Sequence, residues 1–91
     1  NPPFTRLVRL THSAGNAEVA KSEADRMAAA LADVREAHGE TGIEVIGPTP
    51  GYPVKMRNMY RWQILLKGSH PERLLELVPS GSLWAVDIDP A

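Results

Sequence analysis

Apolar and polar positions alternate from Phe4 to Thr11, with Phe4, Val8 and Leu10 on one side and Thr5, Leu7, Arg9 and Thr11 on the other. That period of two predicts a first strand, entered through the extended Pro2-Pro3 pair. His12-Ser13-Ala14-Gly15 reads as a turn, after which the period changes. Ala20, Ala24, Met27, Leu31 and Val34 follow one another at spacings of four, three, four and three, which sets them along one stripe of a helix. Asn16 is placed to cap its N-terminus, with Glu18 in the first turn. The helix is expected to end near His38, with Gly39 supplying the left-handed residue that follows.

Gly42 to Ile46 is short and β-branched, which predicts a second strand with Ile43 and Val45 inward and Gly47 closing it. Gly47-Pro48-Thr49-Pro50-Gly51-Tyr52-Pro53, dense in proline and glycine, predicts an irregular surface loop. Tyr60, Trp62, Ile64 and Leu66 then alternate with Arg61, Gln63, Leu65 and Lys67, a third strand with an aromatic and aliphatic inner face. Ser69 to Glu72 fits a capping box, with Pro71 early in the first turn of a short second helix. Leu74, Leu75, Leu77 and Val78 fill that helix and Pro79 stops it. Ser80-Gly81-Ser82 turns the chain into a fourth strand, with Trp84, Val86 and Ile88 on one side and Ala85, Asp87 and Asp89 on the other.

The order β-α-β-β-α-β is the split βαβ arrangement of ferredoxin-like α+β folds, a four-stranded antiparallel sheet with two helices on one face. The other face is expected to be open and mixed, carrying Thr5, Arg9, Glu44, Arg61, Gln63, Lys67 and Asp87 with Leu7, Ile46 and Leu65. Those three apolar residues fit a partner surface or ordinary surface exposure equally well. There is no internal repeat.

Ninety-one residues make a single domain, 1–91, able to bury roughly 60 to 65% of its unfolded surface. With no cysteine, disulfides, thiolate zinc sites and a cysteine nucleophile are excluded. Neither a run of about eighteen apolar residues nor a signal peptide occurs, so a soluble module without membrane contact is expected. The opening Asn1-Pro2-Pro3-Phe4 lacks a methionine, as a segment of something longer would.

Charge changes the picture more than composition does. Ten Lys and Arg stand against eleven Asp and Glu, yet no acidic residue occurs between Glu44 and Glu72, where Lys55, Arg57, Arg61 and Lys67 lie among Tyr52, Tyr60 and Trp62. A local cationic patch can bind nucleic acid despite a neutral total. Guanidinium and ammonium groups pair with phosphates, and aromatic faces stack on unpaired bases. Tyr60 and Trp62 are on the inner phase and are read as core. Tyr52, in the loop, is available to a base or to another protein. For Lys55 and Arg57 the plain alternative is a solvated loop. The outward aromatics of an RNA-recognition motif are absent, since those phases hold Arg61, Gln63 and Leu65.

No catalytic constellation assembles from the sequence. His12, His38 and His70 fall at element ends and are read as structural or solvent-exposed, His38 beside a helix C-terminus that favours its cation. Asp87 and Asp89 share a face and suit a hard cation such as magnesium, but without a third ligand the ordinary reading is solvated carboxylates. P-loop, Rossmann and zinc-ligand spacings are missing.

Taken together, four landmarks carry a resemblance. Asn1-Pro2-Pro3-Phe4 opens a strand and Gly47-Pro48-x-Pro50 precedes a basic loop. Tyr60-Arg61-Trp62-Gln63-Ile64-Leu65-Leu66-Lys67 and Asp87-Ile88-Asp89-Pro90 follow. Across nearly all 91 residues this chain resembles the C-terminal domain of the primosomal protein N′ family of bacterial replication-restart helicases. It departs from many relatives in a less densely basic tip between Tyr52 and Met59.

The resemblance implies a ribosomal-protein-S10-like, ferredoxin-related fold. It implies a parent that is an ATP-dependent 3′-to-5′ DNA helicase with a zinc-binding insertion, working in the bacterial cytoplasm at the nucleoid. ATP, magnesium and zinc would belong to that parent; no cofactor and no catalytic residue is expected in this fragment. The implied partners are single-stranded or branched DNA, the helicase core of the same chain, single-stranded-DNA-binding protein and other primosome proteins. Lys55, Arg57, Arg61 and Lys67 would meet phosphates and Tyr52 would stack on a base. By position, Arg73 would receive the acidic tail of the single-strand-binding protein. An alternative within the same resemblance is a module that mainly docks on proteins, with DNA contact secondary.

Overall fold

A computed structural model describes residues 5–78 and 84–88; the side chains of Tyr52, Pro53, Val54 and Met56 lie outside the described set. The elements are β1 (Arg6–Ala14), α1 (Ala17–Ala37), β2 (Glu44–Met56), β3 (Met59–Gly68), α2 (Arg73–Leu77) and β4 (Ala85–Ile88). The sheet runs β2-β3-β1-β4 with every neighbouring pair antiparallel. This is the split βαβ order expected from the alternation, and the chain is an α+β domain with one face of its sheet open. The expected roles of Phe4, of the Pro79 stop, of the Ser80-Gly81-Ser82 turn and of Asp89 lie outside the described residues.

Helix α1 forms as its pattern dictates. Asn16 Oδ1 accepts from the backbone N–H groups of Glu18 and Val19 at 2.9 and 3.0 Å, satisfying two of the donors that a helix start leaves without partners. Gly39, at φ 65°, takes the left-handed position after the C-cap His38. The stripe Ala24, Met27 and Leu31 packs on Val8, Leu10, Ile64 and Leu66 of the sheet, and Ile43, Leu74, Val78 and Trp84 complete the core. Trp62 and Val45 pack against its margin.

Three expectations are corrected. First, His12 to Ala14 is strand and not turn: His12 opposes Trp62, Ser13 opposes Arg61 and Ala14 opposes Tyr60. His12 occupies an inward position, buried against Trp84 with ring centroids 5.2 Å apart, so a polar ring fills a place where alternation calls for an aliphatic side chain.

Second, the proline-rich stretch is part of β2. Pro48, Pro50 and Pro53 cannot donate to a ladder, but β2 is an edge strand with only one neighbour, where such residues are tolerated. The pairing absorbs them through register shifts between Ile46 and Thr49 and between Pro50 and Lys55. The Gly47–Pro48 peptide is cis. A two-residue hairpin turn joins β2 to β3, with Met56 opposite Met59 and both Arg57 (φ 54°) and Asn58 (φ 64°) left-handed, as a type I′ turn requires.

Third, the capping box is not formed. Glu72 holds the N-cap position of α2 in a helical conformation without a side-chain cap hydrogen bond, and its carboxylate lies 3.6 Å from Arg6 instead. Backbone bonds from Arg73 to His70, Leu74 to Pro71 and Leu75 to Glu72 wind the chain into the helix.

Trp84 is buried, whereas Val86 and Ile88, which oppose Leu10 and Val8 on the helical side, are each 49% exposed. The long helix lies over β3, β1 and β2, leaving β4 at the margin.

Candidate nucleic-acid interface

Cross-strand register decides which predicted cations meet. Arg9 opposes Leu65, Thr11 opposes Gln63 and Ser13 opposes Arg61, so these six project from the open face of the sheet. With Arg57 and Met59 from the hairpin and Ala85, Val86 and Asp87 from β4, Arg9, Thr11, Ser13, Arg61 and Gln63 line a shallow groove. Among the described residues, three guanidiniums, two hydroxyls and one amide converge there, and Asp87 is the one carboxylate. Arg9 Nη2 donates to Asp87 Oδ2 at 2.9 Å, across a pair that is directly opposed in the β1–β4 ladder. Chemically the groove suits an anion with several oxygens: arginine forks bind phosphate oxygens, and the neutral donors add hydrogen bonds without repelling charge.

The sequence-predicted cations therefore divide. Arg57 and Arg61 share the groove. Lys67 is on the same face but farther along β3, with Leu7 opposite it on β1 and Glu44 opposite it on β2. Lys55 opposes Tyr60, on the phase of Trp62 and Ile64, and its ammonium lies 5.3 Å from the Tyr60 ring centroid. It belongs to the other side of the hairpin and is held by a cation–π contact. The side chain of Tyr52 lies outside the described residues. Arg73 stands apart at the start of α2, its Nε donating to Glu40 Oε2 at 2.7 Å. Glu40 beside it raises the Arg73 guanidinium above its ordinary pKa, and Glu72 and Glu76 lie in the same shallow depression.

Arg9 is the groove residue that the charge run did not single out, because it is distant in sequence. Its signal was its place on the open phase of the first strand, together with the fold order that sets β1 beside β3.

A second polar cluster lies behind the sheet. Glu23 accepts from Arg26 Nε and Nη2 at 2.8 and 2.7 Å and from Trp84 Nε1 at 2.8 Å. The Arg26 hydrogen bond is the largest influence on its carboxyl, which is held down to about 2 despite its burial. This cluster ties β4 to α1; it faces away from the groove and is structural.

The Deinococcus radiodurans protein described as probable replication restart protein PriA is 32% identical over 95 residues, covering 98% of this chain. The replication restart protein PriA of Synechocystis is 28% identical over 98 residues, and that of Haemophilus influenzae 32% over 73 residues. The chain spans about a tenth of the length of these relatives (10%, 11% and 9%). Residues 1–91 match throughout the family described as the primosomal protein N C-terminal domain, and the chain belongs to that family.

Proposed function

We propose that this domain is a DNA-contacting element of a bacterial replication-restart helicase, and that the open-face groove takes the phosphate backbone of single-stranded or branched DNA. The observation that carries this reading is the convergence of Arg9, Arg57 and Arg61 from the first strand, the hairpin turn and the third strand on one surface. Each arginine neutralises phosphates and displaces condensed counterions, giving salt-sensitive affinity without sequence preference. Lys67 extends the positive surface along β3, and Tyr52 is retained as the base-stacking candidate.

ATP, magnesium and zinc are assigned to the remainder of the parent, in the bacterial cytoplasm. The chain has no cysteine to supply a thiolate zinc ligand. Fluorescence anisotropy of labelled single-stranded and forked DNA across a salt series tests the reading. The Arg57→Ala/Arg61→Ala variant is expected to bind more weakly, with a log–log salt slope shallower by about one to two units. Equal binding by the wild type and this variant would reject it.

A docking role is the second reading, favoured by the half-exposed Ile88 at the β4 margin, outside the groove lining. Its clients would be the helicase core of the same chain, other primosome proteins, and single-stranded-DNA-binding protein at Arg73. Arg73→Ala should then lose binding of an acidic C-terminal peptide while DNA binding is retained.

A further inference from the structure

Among the described residues that line the groove, Asp87 is the one whose carboxylate opposes the binding of an anion. It is the Cα partner of Arg9 in the β1–β4 ladder, and the two side chains meet at 2.9 Å. The pair is accessible, with side-chain exposures of 39% for Arg9 and 56% for Asp87. An exposed pair of this kind is weakly held, so an incoming phosphate can exchange for it. The strand that carries Asp87 is anchored from behind. Trp84, three residues earlier, is buried, in tilted ring contact with His12 and hydrogen-bonded to Glu23. These contacts hold the start of the strand that sets Asp87 opposite Arg9.

Resting on the groove's proposed role in DNA binding, we infer that Asp87 is an internal competitor for phosphate: its carboxylate takes the Arg9 guanidinium in the empty groove and must yield it when a strand binds. A lone anion gains little from this exchange, because it trades one charge-assisted hydrogen bond for another. A strand that also meets Arg57 and Arg61 retains a net gain. Asp87 thus sets a threshold favouring an extended polyphosphate over single anions and keeps the bound strand readily released.

The test compares the wild-type chain with Asp87→Asn, Arg9→Gln and the double variant, all checked for folding by circular dichroism. The probe is a labelled oligodeoxythymidine of about 20 nucleotides, titrated by anisotropy across a salt series. Asp87→Asn is expected to bind roughly three- to tenfold tighter at low salt with the salt slope essentially unchanged, because Arg9 meets the same phosphate in both complexes and only the competing carboxylate is gone. The gain should vanish in the Arg9→Gln background. Wild type and Asp87→Asn binding equally well would overturn the inference and leave the groove's role standing. A gain that survives Arg9→Gln would overturn it too, since the carboxylate would then act through general charge. If neither wild type nor Asp87→Asn binds, the DNA-binding role itself falls, and the inference with it.

Discussion

The Trp84 indole donates to Glu23 Oε2 at 2.8 Å, joining the start of the last strand to the first helix across 61 positions of chain. Among the described residues, strand β4 has four residues and one neighbour, so this part of the ladder holds it weakly. The bond to Glu23 and the packing of Trp84 on His12 fix it in place. Trp84→Phe keeps most of the ring but removes the donor, and the expected loss is about 1 to 3 kcal/mol in urea unfolding. Lys21→Ala is the control. It removes an exposed ion pair with Asp25 and is expected to cost less than about 0.5 kcal/mol.

Glu23 also sets an acid limit. Its carboxyl, ordinarily near 4.5, titrates at about 2 in the folded chain, chiefly because Arg26 bonds the anion. A depressed folded pKa means stabilisation that is complete above the unfolded value and is lost as pH falls through the window from 4.5 to about 2. With Arg26 itself half-exposed and screened by solvent, the loss is expected to be about 1 to 2 kcal/mol. Unfolding free energy measured at pH 5 and pH 2.5 should fall by that much more in the wild type than in Glu23→Gln.

Much of the fold was legible because α1 and β3 repeat their periods without interruption. Ala24, Met27 and Leu31, and Ile64 and Leu66, are buried as their spacing requires. The misread segments share a cause: at each, tertiary context overrode a local signal. His12 looked like a turn residue because its inward place depends on Trp84, distant in sequence. The β2 prolines looked like a loop because their tolerance depends on an edge position, which sequence alone does not disclose. The candidate site was half legible. Alternation placed Arg9, Arg61 and Asp87 on the open face, but Lys55 and Arg57 were joined by proximity in sequence although the hairpin separates them.

That separation makes a prediction about faces. Lys55 stands over Tyr60, on the far side of the hairpin from the groove that Arg61 lines. Arg61→Ala should weaken binding of single-stranded DNA by roughly three- to tenfold, as loss of one phosphate contact does, while Lys55→Ala should change it by less than about twofold. Comparable losses in the two variants would mean that the strand wraps the hairpin instead of lying in the groove.

Gly68 and Gly42 separate close approach from open space. A Cβ on Gly68 would stand 2.5 Å from the Gly42 carbonyl oxygen, a backbone atom that cannot rotate away. Gly68→Ala is expected to destabilise by about 1 to 3 kcal/mol as neighbouring backbone is forced apart. At Gly42 itself no heavy atom lies within 4 Å of the corresponding position. There, alanine restricts only the unfolded chain, and a gain of about 0.4 to 1 kcal/mol is expected. Thermal melts of the two variants should shift in opposite directions.

The hairpin turn has a stabilising substitution built into its geometry. Arg57 and Asn58 both have positive φ, at 54° and 64°. Asparagine tolerates that region better than most residues, but glycine occupies it without the Cβ contact that strains an L side chain, and it is the preferred second residue of a type I′ turn. Asn58→Gly should therefore stabilise the domain. The relief is partly offset by the larger backbone entropy of glycine in the unfolded chain, so the net gain is expected to be below about 1 kcal/mol. Asn58→Val should have the opposite effect by about 1 to 2 kcal/mol, because a β-branched side chain is a poor fit to a left-handed backbone. Chemical denaturation of both variants checks the pair. The hairpin also presents Arg57 to the groove, so the same substitutions read out on DNA. Asn58→Val should lower affinity as well as stability, whereas Asn58→Gly, which keeps the turn type, should leave the position of Arg57 and the DNA affinity unchanged.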